Sequence, residues 1–242
     1  MFSWIFLDLG GPVFNDEPWS AHVRAIIRHE LAFEGLSAPT ERFVAVEREV
    51  KEKRLSSFLR TLVRTVCRSE TQAGRVWDRV QKTLNATDVD TFLRLNPLQP
   101  EAARAIPLLA QQYRLATLSN NLLIANEALK AQGLWQYFLV SGNSAEVGFS
   151  KPDPRLFQFV LEHARCQPDA ALMVGDRLDN DIIPAKRLGL RTARIRVGWC
   201  REVEPRNPQE QPDYEVNSLI ELAWFLTCGE SRFFLSDKSG KS

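Results

Sequence analysis

The sequence predicts an α/β fold, a doubly wound parallel sheet into which a block of four helices is inserted after the first strand. Residues 2–7 form a short apolar run that ends at Asp8 and a Gly-Gly-Pro loop, a pattern typical of a buried strand. From about Glu17 to Asn96 every strong periodicity is helical. After Asn96, short apolar runs alternate with helical segments, and this alternation favours a parallel sheet with helices on both faces.

The composition is that of an ordinary globular protein. The 242 residues are 44% hydrophobic and 25% charged, and the formal net charge of +1 gives no electrostatic reason to expect nucleic acid or an anionic membrane as the partner. No apolar run approaches the ~18–20 residues of a spanning helix. The N-terminal apolar run lacks a basic region and predicts a strand rather than a signal peptide. The 4 cysteines form no C-x-x-C pair, so we expect no disulfide framework, no zinc site and a cytoplasmic location.

These patterns divide the chain into two predicted domains and a tail. The α/β core comprises residues 1–16 and 97–228, and a helical cap comprises residues 17–96. Residues 229–242 are mostly polar, contain one Phe-Phe pair and predict a loose tail. A cap inserted between two strands of the core creates a cleft at the domain boundary, where ligand sites commonly lie.

The cap sequence predicts four amphipathic helices with short connections. The first begins at Pro18, ends at Gly35 and has its apolar residues on one face. The second begins at Thr40, the third begins near Ser56, and the fourth carries apolar residues at positions 76–84. We therefore expect a compact bundle with its apolar faces turned inward.

Four further strands alternate with four helices in the predicted core, in a Rossmann-like arrangement. The predicted strands are Leu115–Ser119, Phe138–Ser141, Leu172–Gly175 and Thr192–Val197. The predicted helices cover about 100–112, about 121–132, Pro154–Ala164 and Asp181–Leu188. Pro107 lies inside the first of these helices and is expected to kink or shorten it.

Four polar positions flank the predicted strands and helix starts, so a parallel sheet would bring them to one edge. Asp8 ends the first strand and suits a carboxylate nucleophile or a metal ligand. Ser119 and the two asparagines after it end the second strand, before a helix whose free N–H groups suit a phosphate. Lys151 precedes a helix and offers a fixed ammonium group. Asp176 begins an acidic cluster whose oxygen ligands suit Mg²⁺.

The motifs that contain these residues are similar to those of a known family in both order and spacing. They read Ile-Phe-Leu-Asp8-Leu-Gly-Gly, Ala-Thr-Leu-Ser119-Asn, Phe-Ser-Lys151-Pro-Asp-Pro and Met-Val-Gly-Asp176-Arg-Leu-Asp-Asn-Asp181. In these motifs the sequence resembles the haloacid dehalogenase-like hydrolase superfamily, in the subgroup with a helical cap after the first motif. The resemblance covers nearly the whole chain and leaves out only the tail.

The resemblance implies a phosphatase that hydrolyses a small phosphorylated metabolite through an aspartyl-phosphate. Asp8 would attack phosphorus. Ser119, Asn120 and neighbouring N–H groups would hold the phosphoryl oxygens, and Lys151 would bind them and neutralise the charge that builds up there. The near-neutral net charge predicts no nucleic acid or membrane partner, and the sequence leaves the oligomeric state open.

The resemblance also implies a Mg²⁺ site, but with one departure from the family pattern. Asp8 and Asp176 would bind the ion, the backbone carbonyl of residue 10 would add a ligand, and Asp181 would bind or orient the ion. The family's first motif carries a second Asp at this position, as general acid/base, and here it is Gly10. The carbonyl is kept while the proton-transfer group is lost, which is expected to slow reactions with poor leaving groups by ~10²–10⁴-fold.

The departure at Gly10 leaves three interpretations open. A nearby carboxylate replaces the lost group, and Asp16 and Glu17 are the nearest in sequence. Alternatively, the chain is a weakened relative that binds a phosphorylated ligand or a protein. A third interpretation is a 2-haloacid dehalogenase, since that branch of the superfamily also lacks the second Asp. The retained carboxylates at Asp176 and Asp181 argue against a dehalogenase that works without a metal.

Overall fold

The computed structural model describes residues 2–55 and 57–228, and in it six strands form one parallel sheet. The strands are β1 (Trp4–Leu7), β2 (Arg114–Ser119), β3 (Phe138–Asn143), β4 (Ala171–Gly175), β5 (Arg191–Ile195) and β6 (Tyr214–Val216). Their order is β3-β2-β1-β4-β5-β6, with every neighbouring pair parallel. This order is that of a doubly wound sheet, so the predicted fold class is confirmed. The predicted tail, residues 229–242, lies outside the described residues.

Eleven α-helices accompany the sheet in the described part of the chain. They are α1 (Glu17–Phe33), α2 (Thr40–Lys53), α3 (Phe58–Val66), α4 (Glu70–Asn85), α5 (Val89–Leu95), α6 (Ala102–Ala110), α7 (Ile124–Ala131), α8 (Ser144–Val147), α9 (Pro154–His163), α10 (Ile183–Arg187) and α11 (Leu219–Cys228). A π-helical turn at Leu178–Ile182 leads into α10. None of the described helices is long and apolar enough to cross a membrane.

The sheet is buried between two apolar layers, and β1 shows why its sequence is a continuous apolar run. All four residues of β1 are buried. Ile5 and Leu7 pack in a cluster with α6, α7 and α11, whereas Trp4 and Phe6 pack in a second cluster with α9 and α10. A central parallel strand covered on both faces requires apolar residues at every position, since neither face meets water.

The helices between β1 and β2 bury a separate apolar cluster. Helices α1 to α4 supply its members, among them Ile27, Val46, Leu62 and Val76. Helix α5, which the sequence analysis does not predict, belongs instead to the sheet cluster, where Phe92 packs edge-on against Phe14 with ring centroids 5.8 Å apart. We call residues 17–96 the helical insert; its role as a cap stays a prediction.

Several element boundaries differ from the sequence-based expectations. Helix α7 begins at Ile124 rather than near Asn121, because the Asn121 side chain accepts the N–H of Leu122 and keeps this stretch as a loop. The third helix begins at Phe58 rather than near Ser56, and the helix that contains Pro107 is only 9 residues long.

The largest differences from the sequence-based expectations lie in the last part of the described chain, from the end of β4 onward. The expected helix Asp181–Leu188 is a π-helical turn followed by the short α10. Strand β6 and helix α11 are not among the predicted elements: β6 has only 3 residues, and α11 is apolar on most of its surface and so lacks an amphipathic period.

Candidate active site

The ends of three adjacent strands bring the predicted site residues together. Asp8 follows β1 and Asp176 follows β4, while Ser119 ends β2. Lys151 lies in the loop before α9, and all four residues are buried. Because β1 lies between β2 and β4, the side chains beyond these three strands meet at one edge, as predicted for a parallel sheet.

Lys151 links two of the carboxylates directly. Its Nζ lies 3.0 Å from Oδ2 of Asp8 and 2.6 Å from Oδ1 of Asp181. The other oxygen of Asp8 accepts the N–H of Leu9 at 2.8 Å. Both oxygens of the Asp8 carboxylate are therefore held in place by groups that donate hydrogen bonds.

The side chains of Lys151 and the carboxylates form an unbalanced charge cluster away from water. Burial by itself lowers the pKa of Lys151, but Asp181 and Asp8 outweigh it and raise that pKa above its usual value, so the ammonium stays charged. Burial and the charges of Asp181 and Asp8 raise the pKa of Asp176 well above its usual value. Three carboxylates face one ammonium, and the site has a deficit of positive charge.

The carboxylate cluster fits a divalent cation. Asp8, Asp176 and Asp181 each offer an oxygen within 4.8 Å of those of the other two. Hard cations such as Mg²⁺ prefer oxygen ligands of this kind, and a divalent charge would balance the cluster. Asp181 has both oxygens in use, one by Lys151 and the other by the N–H of Arg177 at 2.9 Å, which suits it to orient the site.

Two glycines make room for these carboxylates, and the sequence analysis did not identify either of them as a site residue. A Cβ on Gly175 would lie 2.3 Å from the Cγ of Asp181. A Cβ on Gly11 would lie 2.9 Å from the Cγ of Asp176, and the φ of Gly11 is +84°, in the left-handed region. The glycines next to the motif carboxylates are the sequence signal from which this close approach follows.

Ser119 and Asn120 have different environments although they are neighbours. The Ser119 hydroxyl is buried and has no hydrogen-bond partner among the described residues. The Asn120 side chain instead clamps the backbone of Lys151: its Nδ2 donates to the Lys151 carbonyl at 2.8 Å, and its Oδ1 accepts the Lys151 N–H at 2.7 Å. The Asn120 amide thus positions Lys151, a contact that the sequence analysis did not anticipate.

Asp16 also enters the site, beside Gly10. Its Oδ2 lies 3.4 Å from where a Cβ on Gly10 would be, and its Oδ1 lies 3.9 Å from the corresponding point on Gly198. Burial and the charge of Asp8 raise the pKa of Asp16 to about 6. Glu17, the other nearby carboxylate, is exposed.

The helical insert contacts the core next to these residues. Arg54, just after α2, forms an ion pair with Glu210 at 2.7 Å and donates to the carbonyl of Glu204 at 2.7 Å. Arg177, which follows Asp176, donates to the carbonyl of Leu55 at 3.3 Å. These contacts join the end of α2 to the segments after β4 and β5.

Comparisons with known proteins identify relatives of part of this chain. The chain is 33% identical over 132 residues to the glyceraldehyde 3-phosphate phosphatase of Methanopyrus kandleri, which covers 54% of this chain and 57% of that protein. It is 37% identical over 135 residues to the phosphoserine phosphatase of Thermus thermophilus, covering 53% and 51%. The matched region thus spans between half and three fifths of those relatives.

A solved structure covers more of the chain. The HAD-hydrolase YfnB of Bacillus subtilis, bound to magnesium, matches with a TM-score of 0.64 and 18% identity over 93% of this chain and 98% of that one. At this identity the match shows the fold. A family model described as haloacid dehalogenase-like hydrolase matches residues 2–189. The chain belongs to the haloacid dehalogenase-like hydrolase family.

Proposed function

We propose that this chain is a Mg²⁺-dependent phosphatase that hydrolyses a small phosphorylated metabolite through an aspartyl-phosphate on Asp8. The observation that carries the proposal is the arrangement of Asp8: Lys151 and the N–H of Leu9 hold its carboxylate beside two further buried carboxylates. A nucleophile fixed in this way needs no rearrangement before it attacks phosphorus.

Asp8, Asp176 and the carbonyl of Gly10 would hold the Mg²⁺ ion, with Asp181 orienting it. When bound, the ion supplies positive charge to the phosphoryl oxygens and balances the carboxylates. Lys151 contributes a second positive charge, 3.0 Å from Asp8, where negative charge grows as the phosphoryl group is transferred.

Ser119 is suited to hold a phosphoryl oxygen. A buried hydroxyl without a partner is unusual, since buried polar groups are nearly always hydrogen-bonded. A phosphoryl oxygen of the substrate would accept a hydrogen bond from this hydroxyl. Asn120 would act through Lys151, because its amide fixes the backbone from which the ammonium extends.

The names of the relatives support a small phosphorylated substrate. Both curated relatives are named as phosphatases of small metabolites, and their matched regions cover about half of this chain. The helical insert, which Arg54 links to the loop after β5, would act as the cap that excludes water and selects the substrate.

The experiment is a measurement of phosphate release from p-nitrophenyl phosphate, with Mg²⁺ and with a chelator. We expect release that needs Mg²⁺ and is abolished in Asp8→Asn, whereas the exposed control Glu17→Gln keeps it. Chloride release from a 2-chloroacid without phosphate release would contradict the proposal in favour of a dehalogenase. Mg²⁺ binding without either product would favour a relative that only binds a phosphorylated ligand.

A further inference from the structure

The chain makes a tight reversal between β1 and α1. Phe14 donates its N–H to the Leu9 carbonyl at 2.8 Å, and Gly11 donates to the Phe14 carbonyl at 2.9 Å. The buried ring of Phe14 packs against Phe92, and this packing holds the reversal in place. Asp16, two residues further on, is therefore brought back over the end of β1 by packed structure.

Asp16 does not serve the helix that follows it. It stands at the N-cap position of α1, where an Asp ordinarily accepts an N–H from the first turn, yet its side chain makes no such bond. Its carboxylate turns instead toward Gly10 and Gly198, within 3.4 Å and 3.9 Å of the points where their Cβ atoms would be. Because this carboxylate does not cap its own helix, its position beside Gly10 points to another use.

The other carboxylates of the site already have a task. Asp8 is the proposed nucleophile, Asp176 lies in the metal-binding cluster, and both oxygens of Asp181 accept hydrogen bonds from Lys151 and Arg177. The Lys151 ammonium is held between Asp8 and Asp181. Cleavage of the phosphate ester of an alcohol is accelerated when the leaving oxygen is protonated, and none of these groups is available to donate that proton.

We infer that Asp16 is the catalytic proton donor and acceptor of this site, with its carboxylate beside the position where a side chain at residue 10 would begin; this inference rests on the proposed function. The site then keeps a proton-transfer group although residue 10 is a glycine. A carboxylate from the start of the helical insert lies within van der Waals distance of that position.

The chemistry balances over two steps. An oxygen of Asp8 bonds to phosphorus while the bond to the leaving oxygen breaks, and the leaving oxygen keeps the electron pair and takes the proton of Asp16. Water then attacks phosphorus and gives a proton back to Asp16, while the bond from phosphorus to Asp8 breaks and returns its electron pair to Asp8. An alcohol and phosphate leave, and both carboxyl groups regain their starting states.

The test compares two aryl phosphates on the full chain with Mg²⁺. We would measure kcat/KM, which reports the steps up to loss of the leaving group, for p-nitrophenyl phosphate and for phenyl phosphate. The p-nitrophenolate ion leaves without a proton, whereas phenolate needs help. In Asp16→Ala we expect phenyl phosphate to lose ~10²–10⁴-fold and p-nitrophenyl phosphate to lose far less. Asp16→Asn, which keeps the shape of the side chain, should behave in the same way, and the exposed control Glu17→Gln should match wild type.

A second arm moves the carboxylate from one position to the other. Asp16 is the only neighbour within 4 Å of a Cβ at Gly10 among the described residues, so Gly10→Asp has room once Asp16 is truncated. We expect Gly10→Asp combined with Asp16→Ala to recover at least tenfold in kcat/KM on phenyl phosphate over Asp16→Ala alone. Mg²⁺ affinity, measured by calorimetry, should be equal in wild type and Asp16→Ala.

Each contrary outcome has a separate meaning. Equal losses on both aryl phosphates, no loss on either, or weaker Mg²⁺ binding in Asp16→Ala would overturn the role of Asp16 and leave the phosphatase proposal standing. A wild-type chain that releases no phosphate from p-nitrophenyl phosphate would overturn both.

Discussion

The ammonium group of Lys151 is buried between two carboxylates. Its removal is expected to lower the free energy of unfolding as well as the activity. In Lys151→Met, Asp8 and Asp181 would face each other without a cation. Breaking a buried ion pair by removing one partner costs about 3–5 kcal/mol, because it leaves an unpaired buried charge. We expect that loss in urea unfolding with a chelator present.

Lys130, which pairs with Glu127 on the surface of α7, provides the matched control. Lys130→Met should change the free energy of unfolding by about 0–1 kcal/mol, the range for exposed pairs. Equal effects of the two substitutions would show that Lys151 carries no special electrostatic role.

Replacement of Asp176 is expected to raise stability when a chelator is present and to lower the stabilisation by Mg²⁺ when the ion is present. The raised pKa of this carboxyl means that its ionised form opposes folding at neutral pH, so stability from this group is gained as pH falls. With a chelator, Asp176→Asn should melt at a higher temperature than wild type. With Mg²⁺ at 100 times its Kd, wild type should gain about 2.7 kcal/mol, and Asp176→Asn should gain little. An equal Mg²⁺ shift in both would remove Asp176 from the metal site.

At the scale of residues, the charged groups of the site can be predicted from the sequence, whereas the neighbouring side chains that position them cannot. Asp8, Lys151 and Asp176 are identifiable because each flanks a strand or a helix start within a recognisable motif. The clamp from Asn120 to Lys151 joins residues 31 positions apart, and its geometry depends on where two loops meet. Such a contact is a property of the assembled sheet and has no local sequence signature.

At the scale of elements, the π-helical turn after β4 sets the position of Asp181. Gly175→Ala would place a methyl group 2.3 Å from the Cγ of Asp181 and push this turn away from Lys151. We expect a loss of about 1–3 kcal/mol in unfolding free energy, as for overpacked sites, together with weaker Mg²⁺ binding by calorimetry.

The control for this substitution is Gly74→Ala in helix α4. A Cβ on Gly74 meets nothing within 4 Å, and Ala is favoured over Gly in a helix by roughly 0.5–1 kcal/mol, so this variant should be slightly more stable. Normal Mg²⁺ affinity in Gly175→Ala would contradict the account of the turn.

The elements that the sequence predicts are those with strong periodic signals. The continuous apolar run of β1 and the one-sided apolar face of α1 are read directly from the sequence. Strand β6 is too short to show a period, and the start of α7 is decided by side-chain hydrogen bonds of Asn121 and Asn143. Ends of elements depend on such contacts, whereas their existence depends on the period.

For the whole molecule, Arg54 makes one of the contacts that join the helical insert to the core. Its side chain is 13% exposed and its partner Glu210 is 9% exposed, so the pair is shielded from water. Arg54→Ala would remove this pair and the bond to the Glu204 carbonyl, for a loss of about 1.5–3 kcal/mol. Hydrogen exchange should become faster in residues 198–210.

Arg64, which pairs with Glu70 at an exposed site, is the control for the ion pair of Arg54 with Glu210. Arg64→Ala should leave both the exchange pattern and the stability within about 0.5 kcal/mol of wild type. Unchanged exchange in the loop after β5 of Arg54→Ala would contradict the role of Arg54 in holding the insert to the core.

The division into sheet and insert is visible in the sequence because the apolar period changes twice along the chain. The contact between the insert and the core cannot be predicted from the sequence. Arg54 and Glu210 are separated by 156 positions, and neither stands out in its own segment. The position of Asp16 in the site follows from the same kind of packing, through the reversal at Phe14.

The most direct test of the central claim is to look for the phosphoryl group on Asp8. The chain would be mixed with p-nitrophenyl phosphate and Mg²⁺, quenched in acid within the first turnover, and its peptides weighed by mass spectrometry. The account predicts one phosphoryl group on the peptide that contains Asp8, absent in Asp8→Asn and removed by hydroxylamine. Phosphate release by Asp8→Asn at the wild-type rate, with no phosphorylated peptide in either protein, would contradict it.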